Sequence, residues 1–267
     1  MATASQVREH YDSLAFIYRT YWGEHIHHGL FVDGSESAEQ AQVAMIDHCL
    51  RLLNLRGGEA IVDVGCGHGG TLLHLARKLG CKGTGITISP KQAKLAVENA
   101  RNAGLQDQLT FIARDVHGYD FPLEAFDVAW TMESTEHFSA KAEVFRRISQ
   151  ALRPGGRWLL AAWTGSMEKP RVRRVAEAFL CPELWTPEQY RSALESSGLA
   201  ITGCEDLTAH VLRTWEICQQ HARLASPMVK LLPRAAQEFV EGIDIILEAY
   251  RSGDLTYTVM VARGPLA

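Results

Sequence analysis

The chain has 267 residues, 46% of them hydrophobic, and a formal net charge of −4. That is enough apolar material for one large core, or a core with a cap, and the mild acidity argues against a nucleic-acid partner. The few basic clusters, such as Lys169 to Arg174, are short and read as a solvated face. Six scattered cysteines (Cys49, Cys66, Cys81, Cys181, Cys204, Cys218) with no C-x-x-C suggest neither a disulfide framework nor a zinc site, and no metal is expected. No apolar run is long enough to span a bilayer, and neither a secretory signal at Met1 nor a transit segment is visible, so a reducing, cytoplasmic setting is expected.

In chain order, residues 3 to 35 are rich in aromatics and histidines. Gln6 to Tyr21 reads as helix, followed by a loop through Gly29 and Gly34. Ser37 to Leu53 reads as a second helix, with Met45, Ile46, Cys49, Leu50 and Leu53 at helical spacing. From residue 59, strands alternate with helices. The strands are Ala60–Val64, Gly83–Ile88, Leu109–Ala113, Phe126–Thr131 and Arg157–Trp163; the helices are Thr71–Leu79, Pro90–Ala103 and Ala140–Leu152. Pro90 suits a first helical turn with Ser89 as its cap, and Arg153-Pro154-Gly155-Gly156 reads as the turn between a helix and a strand. Further on, Thr186 to Ser197 reads as helix, Leu199 to Asp206 as strand, His210 to Tyr250 as mostly helix broken at Pro227 and Pro233, and Leu255 to Ala262 as a last strand.

This pattern predicts an α/β fold, a Rossmann-like, doubly wound, mostly parallel seven-stranded sheet with an N-terminal helical segment and a helical lid insertion. One domain is expected over 1–267: a helical cap (1–56), a cofactor-binding core (57–165), and a substrate-side half (166–267) with the insertion at about 208–250. The insertion reads equally as a lid and as ordinary packing. Ligands of such sheets sit at the carboxyl ends of the strands, where strand order reverses.

Ala60-Ile61-Val62-Asp63-Val64-Gly65-Cys66-Gly67-His68-Gly69-Gly70 carries the most information. A buried strand holding an acid runs into a glycine-rich turn and then a helix. The spacing is neither G-x-G-x-x-G nor a P-loop, which points away from a pyrophosphate. S-adenosylmethionine, with its cationic amino group and carboxylate, suits the loop. Asp63, Gly65, Cys66 and Gly67 are the candidate contacts to its methionine part. At the end of the second strand, where nucleoside-binding domains often carry an acid for the ribose, stands Thr87, followed by Ile88 and, one turn on, Gln92. A hydroxyl and an amide still hydrogen-bond there. After the third strand, Asp115 and Val116 are candidates for the adenine amino group and ring nitrogen.

Met132-Glu133-Ser134-Thr135-Glu136-His137-Phe138 brings two carboxylates and an imidazole to the same sheet edge. Histidine titrates near neutrality and can take a proton as a nucleophile attacks a methyl group. His137 is the first candidate base, with Glu136 or Glu133 orienting it or holding a substrate cation. The bland reading is that Glu136 and His137 cap a helix. Trp22-Gly23-Glu24-His25-Ile26-His27-His28-Gly29 has three histidines in four residues. With no acid or cysteine cluster to complete a metal site, it reads as a loop closing over the active site, with His28 as second candidate base and His25 open to a surface reading. Tyr18, Tyr21 and Trp22 are candidates to wall the pocket and favour a sulfonium by cation–π contact.

These stretches, with Gly85-Ile86-Thr87-Ile88-Ser89-Pro90 and the ending Ala249-Tyr250-Arg251-Ser252-Gly253, resemble class I S-adenosylmethionine-dependent methyltransferases, most closely the γ-tocopherol C-methyltransferase-like family. The likeness runs over most of the chain. The glycine loop is common to many methyltransferases; Trp-Gly-x-His-x-His-His-Gly and Glu-Ser-x-Glu-His are more specific to this branch, in which Thr87 takes the place of the ribose acid. The resemblance implies methyl transfer to a small aromatic or amphiphilic acceptor, with S-adenosylhomocysteine as product. The branch also contains small-molecule N-methyltransferases, so an amine or alkaloid-type acceptor is the alternative. A cofactor-binding domain without catalysis is a third reading, opposed by the joint presence of the glycine loop and the acid/histidine cluster.

Overall fold

The computed structural model describes residues 6–9, 12, 24–224 and 234–266. Residues 6–9 and Asp12 are helical; the other residues of the first predicted helix, including Tyr18 and Tyr21, and Trp22 just after it, lie outside the described residues. The first complete helix, α1 (Ala38–Leu53), opens on a reciprocal cap in which the Ser37 side chain accepts from the Gln40 amide and Gln40 returns the bond. Then follow β1 (Ala60–Val64), α2 (Gly70–Leu79), β2 (Lys82–Thr87), α3 (Pro90–Asn102), β3 (Leu109–Ala113), β4 (Phe126–Met132), α4 (Lys141–Ala151) and β5 (Leu152–Gly165). The second half adds α5 (Pro170–Ala178), α6 (Pro187–Ser196), β6 (Ala200–Asp206), α7 (Thr208–Leu224), α8 (Arg234–Arg251) and β7 (Leu255–Arg263).

The strands form one seven-stranded sheet in the order β3-β2-β1-β4-β5-β7-β6. The pairs from β3 through β5 are parallel, and β7 runs antiparallel to both β5 and β6. The order reverses between β1 and β4, which opens a crevice at their carboxyl ends. Side chains alternate across the sheet. Leu159, Ala161 and Trp163 of β5 join a core with α1, α2, α5, α7 and α8, whereas Trp158, Leu160 and Ala162 face α4 and α6.

The structure corrects one sequence expectation and adds detail to two more. The Arg153-Pro154-Gly155-Gly156 turn is absorbed into β5, because the Gly155 amide donates to Pro265 O and the Gly264 amide to Gly156 O, extending the pairing with the C-terminal strand. The basic cluster from Lys169 lies largely on α5, a helix the sequence reading did not assign; Pro170 starts it and Val172, Val175 and Ala176 are buried. Over His210 to Tyr250, read as mostly helix broken at Pro227 and Pro233, the described residues form α7 and α8, and both prolines lie in the stretch outside the described residues. α8 packs on α5 and α7, so the described part of the insertion closes a core rather than standing free.

Candidate active site

β1 delivers the chain to the crevice at Val64. The amides of Gly65 and Cys66 both donate to the Ile86 carbonyl of β2, at 2.8 and 3.0 Å, which pins the start of the loop. Gly65 and Gly67 have φ of 93° and 51°, a region that side chains disfavour. A Cβ on Gly65 would lie 2.1 Å from the Ser134 Cβ, and Ser134 Oγ donates to Val64 O at 2.6 Å, so the loop is pressed against the segment after β4. A Cβ on Gly67 would meet only Ile26, at 3.8 Å, so this side of the loop is open. Val64, Gly65 and Gly67 line a cleft that encloses about 920 Å³, its mouth included.

Thr87, Ile88 and Gln92 line the same cleft beyond β2. Thr87 Oγ1 donates to Gln92 Oε1 at 2.7 Å, which turns the two NH groups of Gln92 into the free donors of the pair. Ser89 caps α3, and its hydroxyl donates to Asp12 Oδ1 at 2.5 Å; Val7 joins the lining. Asp115 and Val116 line it beyond β3, and Asp115 Oδ1 accepts from the amide and ring Nδ1 of His117, at 2.9 and 2.7 Å. Met132, Glu133, His137, Phe138 and Pro182 form the opposite wall.

Asp63 and Cys66 sit just behind this lining. Burial pushes the Asp63 carboxyl up to about 7 with no cation beside it to oppose the shift. The Cys66 sulfur packs where a Cβ on Gly85 would fall, and burial pushes its thiol well above the usual range. Cys66 thus does not line the cleft: its amide donates to the Ile86 carbonyl and its carbonyl accepts from the Gly69 amide.

On the opposite wall Glu133 is the hub. It is left-handed, with φ of 52°, an unusual conformation for a non-glycine residue and one that clusters at functional sites. Its Oε1 accepts from the His28 amide at 2.7 Å and the Tyr257 hydroxyl at 2.8 Å; its Oε2 meets His28 Nδ1 at 2.7 Å and Trp163 Nε1 at 3.1 Å. Burial alone raises its pKa, but the His28 imidazole and these bonds outweigh it and hold the carboxyl below its ordinary value. Trp215 Nε1, which can only donate, is bonded to His28 Nε2, so the second ring nitrogen is an acceptor and Nδ1 carries the proton toward Glu133. The Tyr250 hydroxyl lies 3.4 Å from the same Nε2. His28 is 1% exposed and ringed by Trp163, Trp215, Tyr250 and Tyr257.

The four acid–base candidates therefore separate. Glu133 lines the cleft but is saturated by four donors. His28 is sealed behind it. Glu136 is buried away from the lining: its Oε1 accepts the Trp163 amide at 2.7 Å, and burial pushes its carboxyl up to about 8. His137, half-buried, is the candidate base whose side chain stands on the cleft wall. Trp163, Trp215, Tyr250 and Tyr257 carry no role in the sequence reading; only Tyr250 stood in a stretch singled out, the ending matched to the family.

The histidine loop threads the interior, which overturns the surface reading of His25. Gln42 Nε2 holds the His25 carbonyl at 2.7 Å and the His27 carbonyl at 3.3 Å, and His27 Nδ1 donates to His28 O. Burial takes the His25 imidazole down to about 3. Among the described residues no group of three or more His, Cys, Asp or Glu is arranged to hold a metal, and no helix is long and apolar enough to cross a membrane.

A doubly wound sheet with an open glycine loop at its switch point, an amide–hydroxyl pair after β2 and an acid after β3 defines a nucleoside-cofactor enzyme of the methyltransferase class. Residues 1–241 match the mycolic acid cyclopropane synthetase family, and the chain belongs to it. It is 28% identical to the chloroplastic tocopherol O-methyltransferase of Arabidopsis thaliana, covering 97% of this chain and 82% of that protein. It is 31% identical to the 27-O-demethylrifamycin SV methyltransferase of Amycolatopsis mediterranei, covering 80% of each. Among solved structures it is similar to the [4+2]-cyclase SpnF, at a TM-score of 0.87 and 25% identity over 99% of this chain and 98% of that one. The protein is an S-adenosylmethionine-dependent methyltransferase of small-molecule type.

Proposed function

We propose that the protein methylates a small aromatic or amphiphilic acceptor, by tocopherol-like C-methylation of a phenolic ring, with His137 as the base. The carrying observation is the chemistry of the acceptor wall. His137 stands there among Met132, Phe138 and Pro182, with Ile26 nearby in the lining, while the acids that could hold a substrate cation are occupied or withdrawn. Glu133 is spent on His28, Trp163 and Tyr257, and Glu136 on the Trp163 amide. This disfavours the amine or alkaloid N-methyltransferase reading, which needs a free carboxylate. The Arabidopsis relative, a tocopherol O-methyltransferase by name, supports a tocopherol-like acceptor, though that name gives oxygen as the atom methylated.

When bound, S-adenosylmethionine supplies an electrophilic sulfonium methyl. Gly65 and Gly67 would cradle its methionine part beside Asp63, the Gln92 amide and Thr87 would face the ribose, and Asp115 and Val116 the adenine. His137 takes the phenolic proton, which concentrates charge on the ortho carbon. With the cofactor bound, that carbon would take the sulfonium methyl, the bonding pair staying on sulfur; His137 would then return its proton to the ring oxygen and take the one released from the methylated carbon. Most of the acceleration comes from alignment and exclusion of water, which the two walls provide.

The test is S-adenosylhomocysteine formation from a chromanol by the wild type and His137→Ala, with cofactor affinity measured by calorimetry. Loss of a general base costs about 10²–10⁴ in turnover, with cofactor affinity retained. Unchanged turnover removes His137 from the role.

A further inference from the structure

Lys141 is the first residue of α4 and is 0% exposed. A cation there breaks two local rules at once. It is taken out of water, and it sits at the helix end that disfavours positive charge. Burial accordingly pulls its ammonium down, against the opposing pull of Glu183, Cys181 and Glu136. Its Nζ donates to the Phe138 carbonyl and the Glu183 carbonyl, each at 2.9 Å, and lies 5.4 Å from the centre of the Trp185 ring. The left-handed Ala140, at φ 46°, immediately precedes it. Phe138 follows His137 directly, Pro182 precedes Glu183 directly, and His137, Phe138 and Pro182 all line the cleft.

We infer that Lys141 is a positioning residue: by tying the Phe138 and Glu183 carbonyls to one ammonium it fixes the distance between the two loops that wall the acceptor side, and thereby sets which acceptors reach His137. Lys141 is not itself among the residues that line the cleft. It acts through backbone that carries the proposed base on one side and Pro182 on the other. The specificity part of this inference rests on the acceptor wall proposed above; the loop-tying part does not.

The experiment is hydrogen exchange by mass spectrometry on the full chain with S-adenosylhomocysteine bound, comparing the wild type with Lys141→Met, which keeps the aliphatic stem and removes the donors. Amides around 136–140 and 183–186 are expected to exchange roughly tenfold faster, together, while cofactor affinity stays within about threefold. Acceptor KM is expected to rise roughly tenfold with a smaller change in kcat, a split that general destabilisation does not give. Should Lys141→Met fail to fold, Trp185→Leu removes only the ring under the ammonium and is expected to loosen the same two segments by a smaller factor. Faster exchange in only one segment, in neither, or a parallel loss of cofactor affinity overturns the inference. A wild type without turnover on any phenol counts against the proposed function alone, since the exchange result still decides whether Lys141 ties the loops.

Discussion

On the cofactor wall, most polar groups are backbone or near neighbours in sequence, with the Ser89–Asp12 and Ser134–Val64 bonds as the long-range exceptions. Gly65 and Gly67 present main chain, Thr87 bonds Gln92 five residues on, and Asp115 bonds His117 two residues on. On the acceptor wall, Glu133 is bonded to His28, Trp163 and Tyr257, which stand 105, 30 and 124 residues away, and His28 in turn to Trp215 at 187. The first wall is built by local backbone geometry that any cofactor of this class needs. The second is an assembly of the N-terminal loop, β4, β5, β7 and α7, and forms only when the whole domain folds. Binding the donor and shaping the acceptor site are thus separable properties, and substitutions should sort accordingly.

The largest effect is expected on the cofactor wall. Gly65→Ala forces a Cβ to 2.1 Å from Ser134 at φ 93°, and is expected to abolish measurable cofactor binding by calorimetry. A variant that binds within a fewfold of the wild type would mean that the loop does not hold the cofactor. Next comes Glu133→Gln. It turns an NH2 donor toward donors that are already in place, and removing one partner of such a buried ionic network costs roughly 3–5 kcal/mol. Denaturant unfolding should show that loss, with cofactor affinity retained in the protein that remains folded. A parallel collapse of cofactor affinity would break the separation of the two walls.

A smaller effect should appear in stability against pH. The Glu136 carboxyl is raised from 4.5 to about 8 by burial. Between those values the folded state keeps a proton that the unfolded state has lost, so stability falls as pH rises through that window. Glu136→Gln removes this fall and is expected to gain on the wild type toward pH 8, while Asp63, raised from 3.8 to about 7, keeps its own fall of the same sign in both proteins. Identical profiles would contradict the buried placement of Glu136. The smallest effect is expected for Thr87→Val, which releases Gln92. Loss of one such hydrogen bond is worth about 1 kcal/mol, or roughly fivefold in cofactor affinity by calorimetry; an unchanged affinity would leave Thr87 with no part in holding Gln92 for the ribose.

The same contrast explains what was legible in the sequence. All seven strands and the glycine loop could be read, because apolar runs ending in glycine turns are local signals. Helix α5 was legible in principle from Pro170 followed by Val172, Val175 and Ala176, but its arginines masked it. Arg171 in fact pairs with Glu248 and Asp254 on the surface. The saturation of Glu133, the sealing of His28 and the withdrawal of Glu136 were not legible. Each depends on a donor from a distant strand or helix, and in sequence Glu133 and Glu136 look equally fit to orient His137 or to hold a substrate cation. The positive φ of Glu133 has no residue signature either.

The most direct measurement is S-adenosylhomocysteine formation by the purified full chain against chromanols and hydroquinones on one side, and indole and alkaloid amines and glycine derivatives on the other. With the acids of the acceptor wall already engaged, turnover is expected on the phenols and not on the amines. Turnover confined to the amines would contradict that account and move the function to N-methylation.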